Sequence, residues 1–499
     1  MLAHIFLASF AAYGVFAVWR LFLHPLRSFK GPALAKLTTW YQAYHDIVKH
    51  GNLLRQVTAL HEIYGPVVRI GPNELSFNDP KAYADIYAMG SKFTKEPSFY
   101  QGFGVPHASF GMMDPQASRT RRDMLNPLFS RRAILKLETI VQADVDHLIS
   151  QLVTNYGSEK PVNLFMAFRC TSLEIITAYC LNQHLHAIDI PDFEHPFLTG
   201  LQSTIPLFWV LKYFPALTPI VMEPPTWLPA SMLNSFSGIS DFRHKIGAHL
   251  DNFIAAPEKY RDSEHEIVYD YLLAPANNRK SFKPLSRTEL FQEAVALLLA
   301  GSDTVGNAST VGFFHVLDNP PVLRKLVAEL REAWPSVEDQ VGLSVLEKLP
   351  YLTAVIKESL RVGHGVVSAT PRIVGPGDAV IGGVHVPAGT VVSMSSTYMH
   401  LNPDIFENPH QFRPERWLEK RTDSVNLNSY LVPFSRGPRM CLGVNLAWCE
   451  LYLIFGNLFR KLDLKLHNTT IDDFRDFDAF FVPVHCGNDL HVTIQAKDT

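Results

Sequence analysis

Phe434-Ser435-Arg436-Gly437-Pro438-Arg439-Met440-Cys441-Leu442-Gly443 decides how this chain reads. Gly437 and Gly443 permit tight backbone turns on either side of Cys441. Residues Gly443 to Leu462 then read as a helix, with Leu446, Leu451, Ile454, Phe455 and Leu458 on its apolar face. Cys441 therefore falls at a helix N-terminus, where the dipole and free N–H groups favour a thiolate, and Arg439 adds positive charge. A low-pKa thiolate serves as a nucleophile, a redox thiol or a metal ligand. No C-x-x-C is present, which disfavours thioredoxin-type exchange and zinc; C-x-x-C-H is also absent, which excludes c-type haem attachment.

Working outward, Ser286 and Glu289 form a capping-box pattern ahead of an apolar run that meets no breaker before Asn319-Pro320. A helix there would span about 32 residues, or about 48 Å. Its Ala294 to Ala300 stretch is apolar on every side, which predicts burial, and Gly301-Ser302-Asp303-Thr304 then interrupts it. An acid inside a buried helix needs a reason. Asn319-Pro320-Pro321 opens a further helix, with Leu323, Leu326, Val327 and Leu330 as its stripe. Strands are few. Val67 to Ile70 with Glu74 to Phe77, and Ala379 to Ile381 with Val384 to Val386 across Gly382-Gly383, read as hairpins. The expected fold class is mainly α with a small β region.

The ten-residue stretch matches F-x-x-G-x-R-x-C-x-G at all five fixed positions, Phe434, Gly437, Arg439, Cys441 and Gly443, and so resembles the haem-binding signature of the cytochrome P450 family. Ala300-Gly301-Ser302-Asp303-Thr304 resembles that family's oxygen-activation motif, and Glu358-Ser359-Leu360-Arg361 its E-x-x-R motif. Phe412 to Trp417 is similar to the segment that supplies the third member, Arg416, of a Glu-Arg-Arg triad. Order and spacing fit from about residue 30 to the end. In feel the chain is similar to fungal microsomal members of secondary metabolism, of the trichodiene-oxygenase type, an impression to which His24-Pro25-Leu26 and Pro387 to Thr390 contribute.

The resemblance implies the cytochrome P450 fold, a single large haem domain, and a haem b (iron protoporphyrin IX) whose axial metal ligand is Cys441; the alternative for any one cysteine is a buried structural thiol, which better fits Cys170, Cys180, Cys449 and Cys486. It implies that Thr304 faces the oxygen-binding side of the haem while Asp303 passes protons inward, and that Gly301 leaves room for oxygen; the alternative is a bent helix with a back-bonded Thr. Glu358, Arg361 and Arg416 are implied to be a buried structural cluster, against an exposed i,i+3 pair. Arg439, Arg372 and Arg122 are implied partners of the haem propionates. Ser118 departs from the aromatic or His that the family pattern places four residues before Arg122, while Arg119 and Arg121 read as surface charges. The implied substrate pocket takes residues from 96–114, 198–233, 366–370 and 479–482, with Phe103, Ala296, Ala300, Val366, Val367, Phe480 and Phe481 as wall residues, and its composition favours an apolar substrate. Trp209, Phe214 and Trp227 lie among prolines, as bilayer contacts or as core aromatics.

The activity implied is a monooxygenase that takes electrons from an NADPH-cytochrome P450 reductase and inserts one atom of dioxygen into a lipophilic small molecule, a terpenoid or polyketide-derived intermediate. Two alternatives remain: a haem-thiolate isomerase or dehydratase that needs no dioxygen, and a non-catalytic haem-binding sensor. Leu2 to Trp19 is almost wholly apolar and about 27 Å long as a helix, near bilayer thickness. Arg20, Arg27, Lys30 and Lys36 follow it and no Lys or Arg precedes it, which predicts a membrane-lipid anchor with a cytosolic body on the endoplasmic reticulum. A cleaved signal peptide lacks its basic start here, and a core helix is the other alternative. The expected organisation is an anchor over 1–23, a basic, proline-containing linker over 24–36 and a haem domain over 37–499. Composition agrees: 45 Lys+Arg against 48 Asp+Glu leaves a net charge of −3 and no nucleic-acid footprint, and 47% apolar with 19% charged residues excludes disorder. The five Cys are too few for a disulfide framework in 499 residues. Asn307 and Asn468 match N-x-[ST], but a buried helix and a cytosolic body predict no glycan on either.

Overall fold

The computed structural model describes residues 1, 4, 10–11, 14–157, 160–223, 225, 230–256, 266–273, 284–419 and 425–497, with the side chains of 230–239 excepted. Its long helices are α1 (Leu53–Tyr64), α2 (Pro115–Leu125), α3 (Arg131–Asn155), α4 (Leu164–Leu181), α5 (Pro196–Tyr213), α6 (Ala230–Ala255), α7 (Arg287–Leu317), α8 (Pro320–Ala333), α9 (Pro350–Val362) and α10 (Val444–Lys461). One continuous apolar core runs from Phe99 to Ile494.

The axis of the fold is α7. Ser286 Oγ accepts from the Glu289 N–H, and the Glu289 carboxylate accepts back from the Ser286 N–H at 2.9 Å, the reciprocal cap that the sequence predicts. The helix runs 31 residues, about 46 Å, and stops before Asn319, whose side chain caps α8. Glycines set how closely its neighbours approach. A Cβ on Gly301 would stand 2.8 Å from Ile176 Cγ1, one on Gly306 would stand 2.7 Å from Arg169 Cγ, and one on Gly312 would collide with Ser359 and Phe455. Gly301 therefore makes room for α4 rather than for oxygen, which corrects the expectation from its motif. Helix α4 is long and apolar enough to cross a membrane, yet 94% of it is buried between α7 and α3, so it is a core helix.

A five-stranded sheet forms from β1 (Val67–Gly71), β2 (Glu74–Phe77), β3 (Thr94–Lys95), β4 (Arg372–Ile373) and β5 (Val391–Ser393), in the order β1-β2-β5-β4-β3. Strands β1 and β2 make the expected antiparallel hairpin, irregular between Arg69 and Gly71. Residues 379–381 and 384–386 make the other, turning on Gly382 and Gly383, both at positive φ.

The expected span Leu2–Trp19 lies largely outside the described residues. The expected linker does not hang free. Leu26 is fully buried in the core beneath the sheet, and Arg69, also fully buried, donates to the carbonyls of Arg20, Leu26 and Pro72 at 3.3, 3.3 and 2.6 Å. The Arg69 N–H donates to Lys30 O at 2.7 Å, and a Cβ on Gly31 would run into the Arg69 carbonyl.

Three buried carboxylates join α3, α4 and α10: Asp144, Glu174 and Glu450, the last accepting from Ser172 Oγ at 2.9 Å. Burial pushes Glu450 up to about 8 and, with Glu174 adding to it, Asp144 up to about 7. Glu450 stays protonated in the folded protein while the unfolded chain ionises near pH 4.5, so stability falls as pH rises between those values. Glu450→Gln keeps a hydrogen-bond acceptor and loses the charge. Chemical denaturation from pH 5 to 9 is expected to show the variant gaining on the parent as pH rises to about 8; parallel curves would refute the assignment.

Candidate functional site

The Cys441 loop is held by backbone geometry that its sequence supplies. Gly437 sits at φ +77°, and a Cβ there would stand 2.5 Å from Tyr87 O and 2.8 Å from Ala88 O, so only glycine fits. Gly443 is at φ −83° with open space where a Cβ would lie, so the turn itself does not require glycine there. The Cys441 N–H donates to Phe434 O at 2.8 Å, and the Phe434 ring leans on Trp448. Helix α10 begins at Val444, so Cys441 precedes the helix rather than opening it. The thiol keeps accessible surface, yet the surrounding protein desolvates it. That burial raises its pKa, while the Gly443 N–H and the Arg122 charge act to lower it. Cys170, Cys180 and Cys449 are buried as expected; Cys486 is exposed, contrary to the expectation of a core thiol.

Glu358, Arg361 and Arg416 meet behind this loop, all buried. The Glu358 carboxylate accepts from Arg361 at 2.8 and 2.9 Å, Arg416 Nε at 3.1 Å, the Arg413 N–H at 2.9 Å and Trp417 Nε1 at 2.9 Å. Burial raises the Glu358 pKa, but Arg361 and then Arg416 outweigh it and hold the carboxyl below its usual range. Arg361 also donates to His400 O at 2.9 Å, and His400 Nε2 accepts from the Val432 N–H at 2.9 Å. That chain of contacts carries the cluster's position to the Cys441 loop. Sequence reading missed His400 and Trp417 as members; Trp417 stands next to Arg416, while nothing local marks His400.

Four cations converge on the other side of Cys441. Lys95 and Arg372 are directly paired across β3 and β4, both buried, an arrangement that repels unless an anion sits between or beside them. Arg439 donates to the Ser118 hydroxyl and to Met112 O, the latter at 3.0 Å. The small Ser118 side chain thus contacts a guanidinium where the family pattern has a ring. Burial, then Arg372 and Arg122, bring Arg439 down to about 10, and burial with Arg372, Arg439 and Arg122 pulls Lys95 well below its ordinary value. None of these four side chains has a carboxylate ion-pair partner among the described residues. An accessible thiol beside cations without carboxylate partners fits a haem: a thiolate for the iron, and cations for two propionates. Lys95 was missed in the sequence because its significance comes from its partner 277 residues later. Arg119 is exposed as expected, but Arg121 is buried. It donates to Glu289 at 2.7 Å and Glu293 at 3.0 Å, so it ties α2 to α7 instead of facing solvent.

On α7 the stripe Ala296, Ala300, Thr304 is open although the helix around it is largely buried, which corrects the expectation of all-round burial up to Ala300. Thr304 Oγ1 donates back to Ala300 O at 2.9 Å, and Asp303 is paired at 2.5 Å with Arg169 of α4, whose guanidinium lies 3.6 Å from the Phe165 ring centre. Asp303 thus has a cationic partner, 134 residues away, that nothing local marks. Phe103 packs against Phe110 and Phe481, with ring centres 5.2 and 5.0 Å away, and stacks on Phe208 at 5.4 Å. Val366 is half-buried and Val367 fully buried. Phe480 turns the other way, onto His50 and Trp209, and lines a separate hollow with Asp46 and Ser203. Trp209 is a core residue bonded to Ala479 O, and Phe214 is exposed beside Trp40; Trp227 lies outside the described residues.

A family model described as "Cytochrome P450" matches residues 32–484. The chain is 33% identical to "Cytochrome P450 monooxygenase macH" of Penicillium terrestre, covering 98% of this chain and 97% of that protein. It is 35% identical to "Tryptophan 6-hydroxylase fscE" of Fusarium equiseti (96% and 94%), and 32% identical to "Cytochrome P450 monooxygenase TRI4" of Fusarium sporotrichioides (91% and 87%). Among solved structures, "Retinoic acid bound cyanobacterial CYP120A1" aligns with a TM-score of 0.71 at 20% identity, over 91% of this chain and 96% of that one.

Proposed function

The chain belongs to the cytochrome P450 family, and from that premise we propose that it is a haem b monooxygenase of fungal secondary metabolism. Its substrate is an apolar terpenoid or polyketide-derived intermediate, its electrons come from an NADPH-cytochrome P450 reductase, and its body sits cytosolically on the endoplasmic reticulum membrane. The observation that carries this reading is the accessible Cys441 thiol, with four cations lacking carboxylate partners beside it. Haem, when bound, supplies dioxygen cleavage, in which one oxygen atom enters the substrate and two electrons and two protons reduce the other to water.

The residues of this chain have distinct tasks. Cys441 would supply the thiolate that holds the iron, and Phe434 and Gly437 shape the loop that presents it. Arg122, Arg372, Arg439 and Lys95 would hold the propionates. Glu358, Arg361 and Arg416 fix the loop. Thr304 places a hydroxyl on the open stripe of α7, and Asp303, one residue away, supplies a carboxylate whose position Arg169 sets. Phe103, Phe110 and Phe481 exclude water from the substrate side with apolar rings. Exposed Trp40, Phe214, Leu217 and Ile220 form an apolar face suited to a membrane surface.

The test is expression in microsomes with a reductase, incubation with terpenoid and polyketide panels, and mass spectrometry for a product heavier by one oxygen. Turnover without reductant or dioxygen would favour an isomerase or dehydratase instead. Thr304→Ala is expected to lower product formed per NADPH by about tenfold or more while hydrogen peroxide release rises. Unchanged coupling would leave Thr304 with only its bond to Ala300 O.

A further inference from the structure

An apolar hollow lies between α5, α6 and α7, walled by Phe103, Phe208, Met222, Phe242 and Leu299. Among the described residues, its lining holds a single charged side chain, Arg243 of α6. The guanidinium lies 4.9 Å from the ring centre of Phe291 on α7 and makes no hydrogen bond or ion pair to any described residue. Burial lowers its pKa and the exposed Glu223 only partly offsets this, so the charge is desolvated without being paired. A partly buried, unpaired cation in an apolar wall is costly for the empty protein, and that cost is relieved when an anion enters.

We propose that Arg243 is the recognition point for a carboxylate on the substrate, so that this enzyme acts on an elongated apolar acid. The proposal rests on the monooxygenase reading and narrows its substrate class. The geometry gives the length. Phe291, Val295 and Leu299 follow one another at four-residue spacing on α7, beside the stripe Ala296, Ala300, Thr304. The hollow beside Arg243 includes Leu299, next to Ala300 of that stripe, and Phe103, which also packs on Phe110 and Phe481. Thirteen residues separate Phe291 from Thr304, about 20 Å along the helix, less the reach of the Arg243 side chain. An acid held at Arg243 needs an apolar body of that order to bring a carbon to the reacting end, which selects against free amino acids and short-chain acids. A guanidinium accommodates a carboxylate with two parallel N–H···O bonds, and Phe291 beneath it fixes the plane of the fork.

The test uses the full chain, haem-loaded in detergent, with ω-phenyldecanoate, its methyl ester and ω-phenyldecylamine as calorimetric probes. The parent enzyme is expected to bind the acid about tenfold or more tighter than the ester, and the amine more weakly still. Arg243→Met and Arg243→Gln should bring acid and ester within about twofold of each other while leaving ester affinity unchanged. Equal binding of acid and ester by the parent enzyme, or an acid preference that survives both substitutions, overturns the proposal. If both variants fail to fold, the order acid, ester, amine in the parent enzyme decides alone. The reduced carbon monoxide spectrum of the same preparation tests the haem-thiolate reading separately, because loss of the acid preference leaves that spectrum unchanged.

Discussion

Cys441→Ser yields a protein whose reduced carbon monoxide complex has lost the long-wavelength band of thiolate-ligated haem and whose monooxygenase activity is undetectable. The substitution is nearly isosteric, and a serine oxygen can accept from the Gly443 N–H as the sulfur does. Gly437 packs under Tyr87 O and Ala88 O, and the Cys441 N–H to Phe434 O bond uses backbone atoms only. The fold is therefore expected to survive, with far-ultraviolet circular dichroism like the parent's. The chemistry does not survive, because a neutral hydroxyl cannot push electron density onto iron as a thiolate does. Retention of the long-wavelength band in the serine variant would remove Cys441 from the ligand position.

Glu358→Ala has the largest expected effect on stability. It leaves the Arg361 and Arg416 guanidiniums, both buried, without their carboxylate, and strips partners from Trp417 Nε1 and the Arg413 N–H. Breaking a buried ionic cluster by removing one partner costs about 3–5 kcal/mol. Through Arg361, His400 and Val432 the damage reaches the Cys441 loop, so haem content should fall together with the urea midpoint. Glu358→Gln, which keeps acceptor and donor atoms but no charge, is expected to fall between the two. A Glu358→Ala protein with parental haem content and midpoint would show that the cluster does not support the loop.

The parts of this molecule that depend on neighbours close in sequence were legible from the sequence. The capping box of α7, the hairpin on Gly382 and Gly383, and the glycine beside Cys441 each follow from a few consecutive residues. What escaped depends on which surfaces meet. Gly301 looks like room for a ligand until α4 is seen against it. Arg121 looks like a surface charge until Glu289 and Glu293 are seen across from it. Lys95 has no meaning until β3 pairs with β4. Phe480 and Phe481 read as equivalent wall residues, but Phe480 ends a strand and Phe481 turns out of it at φ +80°, and only Phe481 joins the rings around Phe103.

The burial of Arg69 has a practical bearing on shortened forms of the protein. Trimming such a chain to residue 32, where the family match begins, would delete Leu26 from the core under the sheet and remove the Arg20 and Leu26 carbonyls that Arg69 donates to. An enclosed guanidinium would then keep only Pro72 O as an acceptor. A version cut just ahead of Arg20 keeps all three acceptors and the leucine plug, and is expected to unfold at a higher temperature than one cut at residue 32.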